Sequence, residues 1–127
     1  MQENHLFEYA VIRLVPRVER EEFLNVGVIL FCKKEKFLKS LYQLDESRLK
    51  CLCQDIEISE IEAHLKTVEL VCQGAPGAGP IAKLPMAERF RWLTATRSTV
   101  VQTSKVHPGF SKNMEATLLM LFNQMVL

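Results

Sequence analysis

Neither sign of charge is in excess in this chain of 127 residues. Sixteen lysines and arginines stand against fifteen aspartates and glutamates, a formal net charge of +1. That balance excludes bulk attraction to nucleic acid or an anionic membrane and leaves only a local basic patch as a route to either. Long apolar runs are missing as well. The longest, Val26 to Cys32, has the length of a strand, well short of the ~20 residues that cross a bilayer. The opening Met1-Gln2-Glu3-Asn4-His5-Leu6 has no charged-then-apolar leader, so the expectation is a cytoplasmic protein without a membrane segment. Familiar catalytic patterns are absent: there is no H-E-x-x-H, no G-x-G-x-x-G, no Ser-His-Asp order and no paired-carboxylate signature. The Gly/Pro-rich stretch from Gly74 to Pro80 lacks the Lys-Ser/Thr ending of a phosphate-binding loop, and no strand leads into it; it reads as a flexible loop. Cysteine is sparse, at Cys32, Cys51, Cys53 and Cys72. The C-x-C spacing does not suit a zinc knuckle, and no second pair accompanies it. With Phe31, Leu52 and Val71 as neighbours, the cysteines are expected to be buried thiols, with no metal and no cofactor.

What is present is an ordinary globular composition, 48% apolar and 24% charged, in a length that suits a single domain over residues 1–127. Residues 7–15 alternate: Tyr9, Val11, Arg13 and Val15 on one face, Ala10, Ile12 and Leu14 on the other. That is a strand, ended by Pro16. Residues 23–32, rich in Val, Ile and Phe, read as a buried second strand, and residues 37–42 as a third after a charged turn. Short links predict an antiparallel meander. Asp45 is placed to cap a short helix to about Cys53. Ile58, Ile61, Leu65, Val68 and Cys72 recur at helical spacing and predict a longer helix. Pro85 opens a third, with Met86, Phe90 and Leu93 inward. Residues 97–103 read as a fourth strand. Asn113 caps a last helix lined by Met114, Leu118, Leu121, Phe122 and Met125. The fold expected is α+β: a small, mostly antiparallel sheet, a meander plus one later strand, packed by about four helices.

Two distant stretches place arginines and amides within strand-like apolar runs, where an unpaired guanidinium needs a partner or a polar pocket. In the first, Arg13 lies mid-strand, and Asn25 and Gly27 are expected on one shared face of the neighbouring strand, with Arg20 in the charged connection between them. The second holds Arg97, Ser98, Gln102 and His107. If the fourth strand lies beside the first, Ser98 and Gln102 meet Arg13, and an arginine fork with hydroxyl, amide and imidazole can hold a phosphate or carboxylate. His107 can act as acid or base near neutral pH, although His107-Pro108-Gly109 also has turn chemistry. The plainer expectation for Arg13 is pairing with Glu8 or Glu22, and for Gly27 that it makes room for a helix. Arg89, Arg91 and Trp92 are expected near the exposed side of the third helix. They give weak support for base stacking, and nucleic acid ranks last among ligands.

Tyr9-Ala-Val-Ile-Arg13-Leu-Val-Pro16, then Arg20-x-Glu22-Phe23-x-Asn25-Val-Gly27-Val, resembles the opening of the bacterial domain-of-unknown-function family 3037. Phe90-x-Trp92-Leu-x-x-x-Arg97-Ser98-Thr-Val-Val-Gln102-x-x-x-Val-His107-x-Gly109 resembles its closing part. Thr96 stands where the family has proline, and Asn113-Met114 where it has Asp-Pro. The resemblance implies a small uncharacterised bacterial protein. Members also look like genomic companions of HipA-like kinases, which implies a protein partner of that kind. Two readings follow. The first is a protein-binding or adaptor module that is not an enzyme. The second is a small enzyme or ligand-binding domain for a phosphorylated small molecule or nucleic acid, worked by Arg13, Arg97 and His107. An exposed sheet edge also allows a homodimer.

Overall fold

The computed structural model describes residues 3–95 and 99–127. Its centre is a strand with half of its residues buried, β1 (His5–Leu14), paired antiparallel with β2 (Leu24–Cys32), which pairs with β3 (Phe37–Tyr42). On its other edge β1 carries two strands end to end: β4 (Val101–Thr103) against Ile12, Arg13 and Leu14, and β5 (His107–Ser111) against His5 to Tyr9. The sheet is therefore five-stranded, in the order β3-β2-β1 with β4 and β5 sharing the far side. The helices are α1 (Glu46–Leu52), α2 (Ile58–Gln73), α3 (Met86–Leu93) and α4 (Met114–Met125), with 3-10 turns at Val18–Arg20 and Pro80–Lys83. The α+β architecture expected from the alternating and helical patterns is the one observed.

Period-two alternation divides the apolar residues between two roofs. Ile12, Leu14, Ile29, Phe31 and Leu38 pack with Leu49 of α1, Ile61, Leu65 and Val68 of α2, and Phe90 and Leu93 of α3. Phe7, Val28, Leu30 and Cys32 pack with Met114, Leu118, Leu121 and Phe122 of α4 on the opposite face. Since β2 is covered on both sides, it reads as one apolar run, the habit of a strand with no solvent face. Each large side chain so buried contributes roughly 1.5–3 kcal/mol. The caps follow the sequence: Asp45 accepts from the Arg48 amide at 3.2 Å, and Asn113 accepts from the Ala116 amide at 3.1 Å.

Three departures from the sequence reading have physical causes. A bulge in the β1–β2 ladder leaves Ile12 opposite Gly27 but Arg13 opposite Asn25. Adjacent residues of β1 face opposite ways, so Asn25 and Gly27 do not share a face. Gly27 lies on the α2 side. A Cβ there would meet the Leu41 carbonyl at 2.6 Å and Tyr42 Cβ at 2.9 Å, so the glycine makes room for the neighbouring strand and not for a helix. Secondly, of the later strand expected over residues 97–103, Val101–Thr103 form β4, residues 99–100 are a bend and 97–98 lie outside the described residues, while β5 is a further strand beyond the one expected. Ser104, 6% exposed, follows β4 in the break before β5, and its hydroxyl accepts the Val11 amide at 2.9 Å while its own amide donates to the Val11 carbonyl at 2.8 Å. One side chain thus replaces a rung of the ladder at the break. Thirdly, His107-Pro108-Gly109 is strand and not turn. Tyr9–His107 and Phe7–Gly109 carry the ladder bonds, and Pro108, opposite Glu8, directs its missing N–H outward, the position an edge strand tolerates.

Candidate functional site

At the β4 end of the sheet, on the α4 side, Arg13 stands between two amides. Asn25 is opposite it on β2, and Gln102 is opposite it on β4. The row exists because three strands present polar residues at one register position, at the end of α4 where the apolar roof stops. Asn25 is oriented by that helix: its Nδ2 donates to the Met125 carbonyl at 3.1 Å, and its Oδ1 is buried with no donor. Gln102 Nε2 donates to the Thr99 carbonyl at 2.7 Å.

Arg13 has no acidic partner among the described residues. Glu22, one of the two acids expected to neutralise it, pairs with Arg20 instead. The Arg13 guanidinium carbon lies 4.2 Å from the centroid of the Phe23 ring, and its Nε is buried without an acceptor. Phe23, expected in the buried second strand, sits one residue outside β2 and is 47% exposed. A half-buried cation is therefore held against a half-exposed aromatic ring, an attraction worth roughly 0.5–2 kcal/mol. Phe23 is the site residue that sequence reasoning misplaced. Its apolar character drew it into the strand, although the flanking Glu21 and Glu22 marked the strand's end.

The remaining candidates lie apart from this row. His107 is exposed on β5, opposite Tyr9, with ring centroids 5.4 Å apart. Tyr9 and Arg13 are four positions apart on β1, about 13 Å along a strand, so Arg13 and His107 do not face one reacting atom. Arg20 belongs to the β1–β2 connection, on its own ion pair. Arg97 and Ser98 lie outside the described residues.

Arg89, expected toward solvent, is turned inward. Its Nη1 donates to the carbonyls of Val71 and Cys72, each at 2.8 Å, and its Nε donates to the Leu84 carbonyl at 3.0 Å. The last carbonyls of α2 carry the negative end of the helix dipole; the Gly74 amide already donates to the Val71 carbonyl at 3.0 Å, and the guanidinium adds a charged donor to it and to the Cys72 carbonyl. The basic pair expected beside Trp92 is reduced to Arg91.

Around Arg13 the groups are an aromatic ring, two carboxamides and a helix-end carbonyl. Among the described residues these groups can hold a ligand or partner group through hydrogen bonds and ring contact. No group of three His, Cys, Asp or Glu side chains is placed to hold a metal ion among the described residues, and none of their helices is long and apolar enough to cross a membrane. Residues 9–126 match the family model described as Protein of unknown function (DUF3037). No curated protein and no solved structure matches the chain.

Proposed function

The chain belongs to the DUF3037 family of proteins of unknown function, and on that premise we propose that it acts as a small protein-binding or adaptor module. The observation that carries this reading is Arg13 stacked on Phe23 with no acid beside it. Arginine and aromatic side chains dominate the energetics of protein interfaces, because each combines a large contact area with directional polar contacts. Here the guanidinium already lies over the ring, 4.2 Å from its centroid, a contact that lowers the cost of holding the long side chain when a partner binds. The complementary group is a carboxylate or a carbonyl edge, which accepts from the guanidinium while the partner's apolar surface covers Phe23. Asn25 and Gln102 flank the pair as the polar rim. The partner that the family resemblance implies is a HipA-like kinase.

The reading of an enzyme or a binding domain for a phosphorylated small molecule or nucleic acid has less support, because Arg13 and His107 stand four strand positions apart and Arg89 is committed to a helix end. Affinity purification from the native host tests the proposal, with wild-type protein beside Arg13→Ala and Phe23→Ala. Wild type is expected to retain a defined partner. Each variant is expected to weaken capture by roughly thirtyfold, the ~2 kcal/mol of an interface hot spot. Repeated recovery of wild type alone, or equal capture by all three forms, would sink the reading.

A further inference from the structure

The four cysteines fall into two classes, against the expectation that all are buried. Cys32 and Cys72 are in the core, whereas Cys51 is exposed and Cys53 partly so. The cause is the shortness of α1. Leu49 is its one buried residue, and Cys51, two positions later, is rotated about 200° away from it. Cys53 is the C-cap, its amide bonded to the Leu49 carbonyl at 2.9 Å.

Both thiols line one groove of about 880 Å³ between the end of α1 and the β1–β2 connection. A volume of that order accommodates a small peptide-sized molecule. Arg17, Arg20 and Lys50 also line it, with Glu22 and Asp55 as its acids. Glu22 is taken by Arg20. Arg17 and Lys50 form no ion pair among the described residues. The groove therefore offers two unengaged cations beside the chain's two accessible thiols.

We propose that this groove is a thiol-exchange site that takes a small disulfide bearing carboxylates, with Cys51 as the attacking group and Arg17 and Lys50 holding the carboxylates. In the step, the Cys51 thiolate attacks one sulfur of the ligand disulfide. That S–S bond breaks, a new S–S bond forms to Cys51 Sγ, and the other half leaves as a thiolate that takes a proton from water. The Cys51 sulfur is oxidised to the disulfide level and the departing sulfur is reduced, so the ligand is itself the oxidant. The cations act by raising the occupancy of acidic ligands, and selectivity for acidic over neutral disulfides is the signature that separates a built site from mere thiol exposure. The site is separate from the Arg13–Phe23 surface and does not depend on the adaptor reading.

The test uses the full chain, reduced and freed of reductant, with oxidised glutathione as acidic probe and bis(2-hydroxyethyl) disulfide as neutral probe. Rates are followed by intact mass, each normalised to the rate of the same probe with N-acetylcysteine, and the adduct is located by peptide mapping. One adduct at Cys51 is expected, lost in Cys51→Ser. The double variant Arg17→Ala/Lys50→Ala is expected to slow the acidic probe roughly tenfold, as two exposed charge contacts allow, and to leave the neutral probe unchanged. Equal rates for the two probes in wild type, equal slowing of both in the double variant, an adduct on Cys32 or Cys72, or loss of two hydrogens without an adduct would each overturn the assignment.

Discussion

Cys72 shows how one buried residue sets a pH limit. It is 3% exposed, near the end of α2 and against the sheet. Burial pushes its thiol up from 9.0 to about 11; the neighbouring Ser40 hydroxyl and the Arg89 guanidinium pull the other way, and Glu69 adds to the rise. Tyr42 is raised too, by burial first and then by its hydrogen bond to Glu69, 3.1 Å long. The unfolded chain releases the Cys72 proton at lower pH than the folded one, so between the two values the folded state binds more protons and stability falls as pH rises. Below pH 9.0 the group has no effect on the slope; by about pH 11 its decrement is complete, roughly 2–3 kcal/mol. Cys72→Ala is expected to be less stable at neutral pH, because it leaves a small void, but to lack that decrement. Urea unfolding at a series of pH values should show the gap between wild type and variant closing above pH 9.0. A gap that stays constant to pH 11 would remove Cys72 from the account.

Among the elements, α2 is the most instructive, because its body and its glycine stop were legible in the sequence and the distant side chain bound at its end was not. Ile61, Leu65, Val68 and Cys72 recur at helical spacing, and all are buried. Asp45 and Asn113 likewise announce the starts of α1 and α4, since an N-cap is satisfied by a side chain within three residues of it. The chain turns out of α2 at Gly74, left-handed at φ 63°, whose amide donates to the Val71 carbonyl at 3.0 Å; Arg89 adds donors to the Val71 and Cys72 carbonyls from 18 and 17 positions away, and no local rule links such positions. The same division runs through the candidate site. That Arg13 and Gln102 would meet was legible once residues 97–103 were read as a strand beside β1. The pairing of Arg13 with Phe23 was not, because a one-residue bulge at Val26 decides which way Asn25 and Gly27 face. β5 was missed for a different reason: His-Pro-Gly carries turn chemistry, and an outward proline becomes acceptable only when the residue is already known to be on an edge. Replacing Arg89 with Met keeps the stem and removes three hydrogen bonds to carbonyls. It is expected to cost about 1.5–3 kcal/mol in chemical denaturation, the range for bonds involving a charged group. Arg89→Lys should recover only part of that, because a single ammonium cannot reproduce the guanidinium's fixed fork. Full recovery by Lys would mean that the charge, not the geometry, carries the contact.

For the whole molecule, the two helical roofs leave the sheet edges as its most reactive backbone. An edge strand is a template for a second copy unless something interrupts it. Along β5 the interruption is Pro108. With Tyr9–His107 and Phe7–Gly109 bonded inward, the outward-facing positions are Pro108 and Phe110, and the first of these has no amide hydrogen to donate. Phe110 is 71% exposed and its cross-strand neighbour Leu6 is 52% exposed. Apolar surface that would favour association therefore lies directly beside the residue that frustrates the ladder. Self-pairing along β5 through this edge loses a donor in each copy. Pro108→Val restores that donor in a residue with high strand propensity. The variant is expected to shift toward dimer and larger species at concentrations where wild type shows less association, read by sedimentation velocity. Adding Phe110→Lys should reverse the shift, since a charge on an edge opposes pairing. If Pro108→Val sediments as wild type does, the outward ladder is not what limits self-association, and the exposed Leu6–Phe110 pair must be restrained by shape alone.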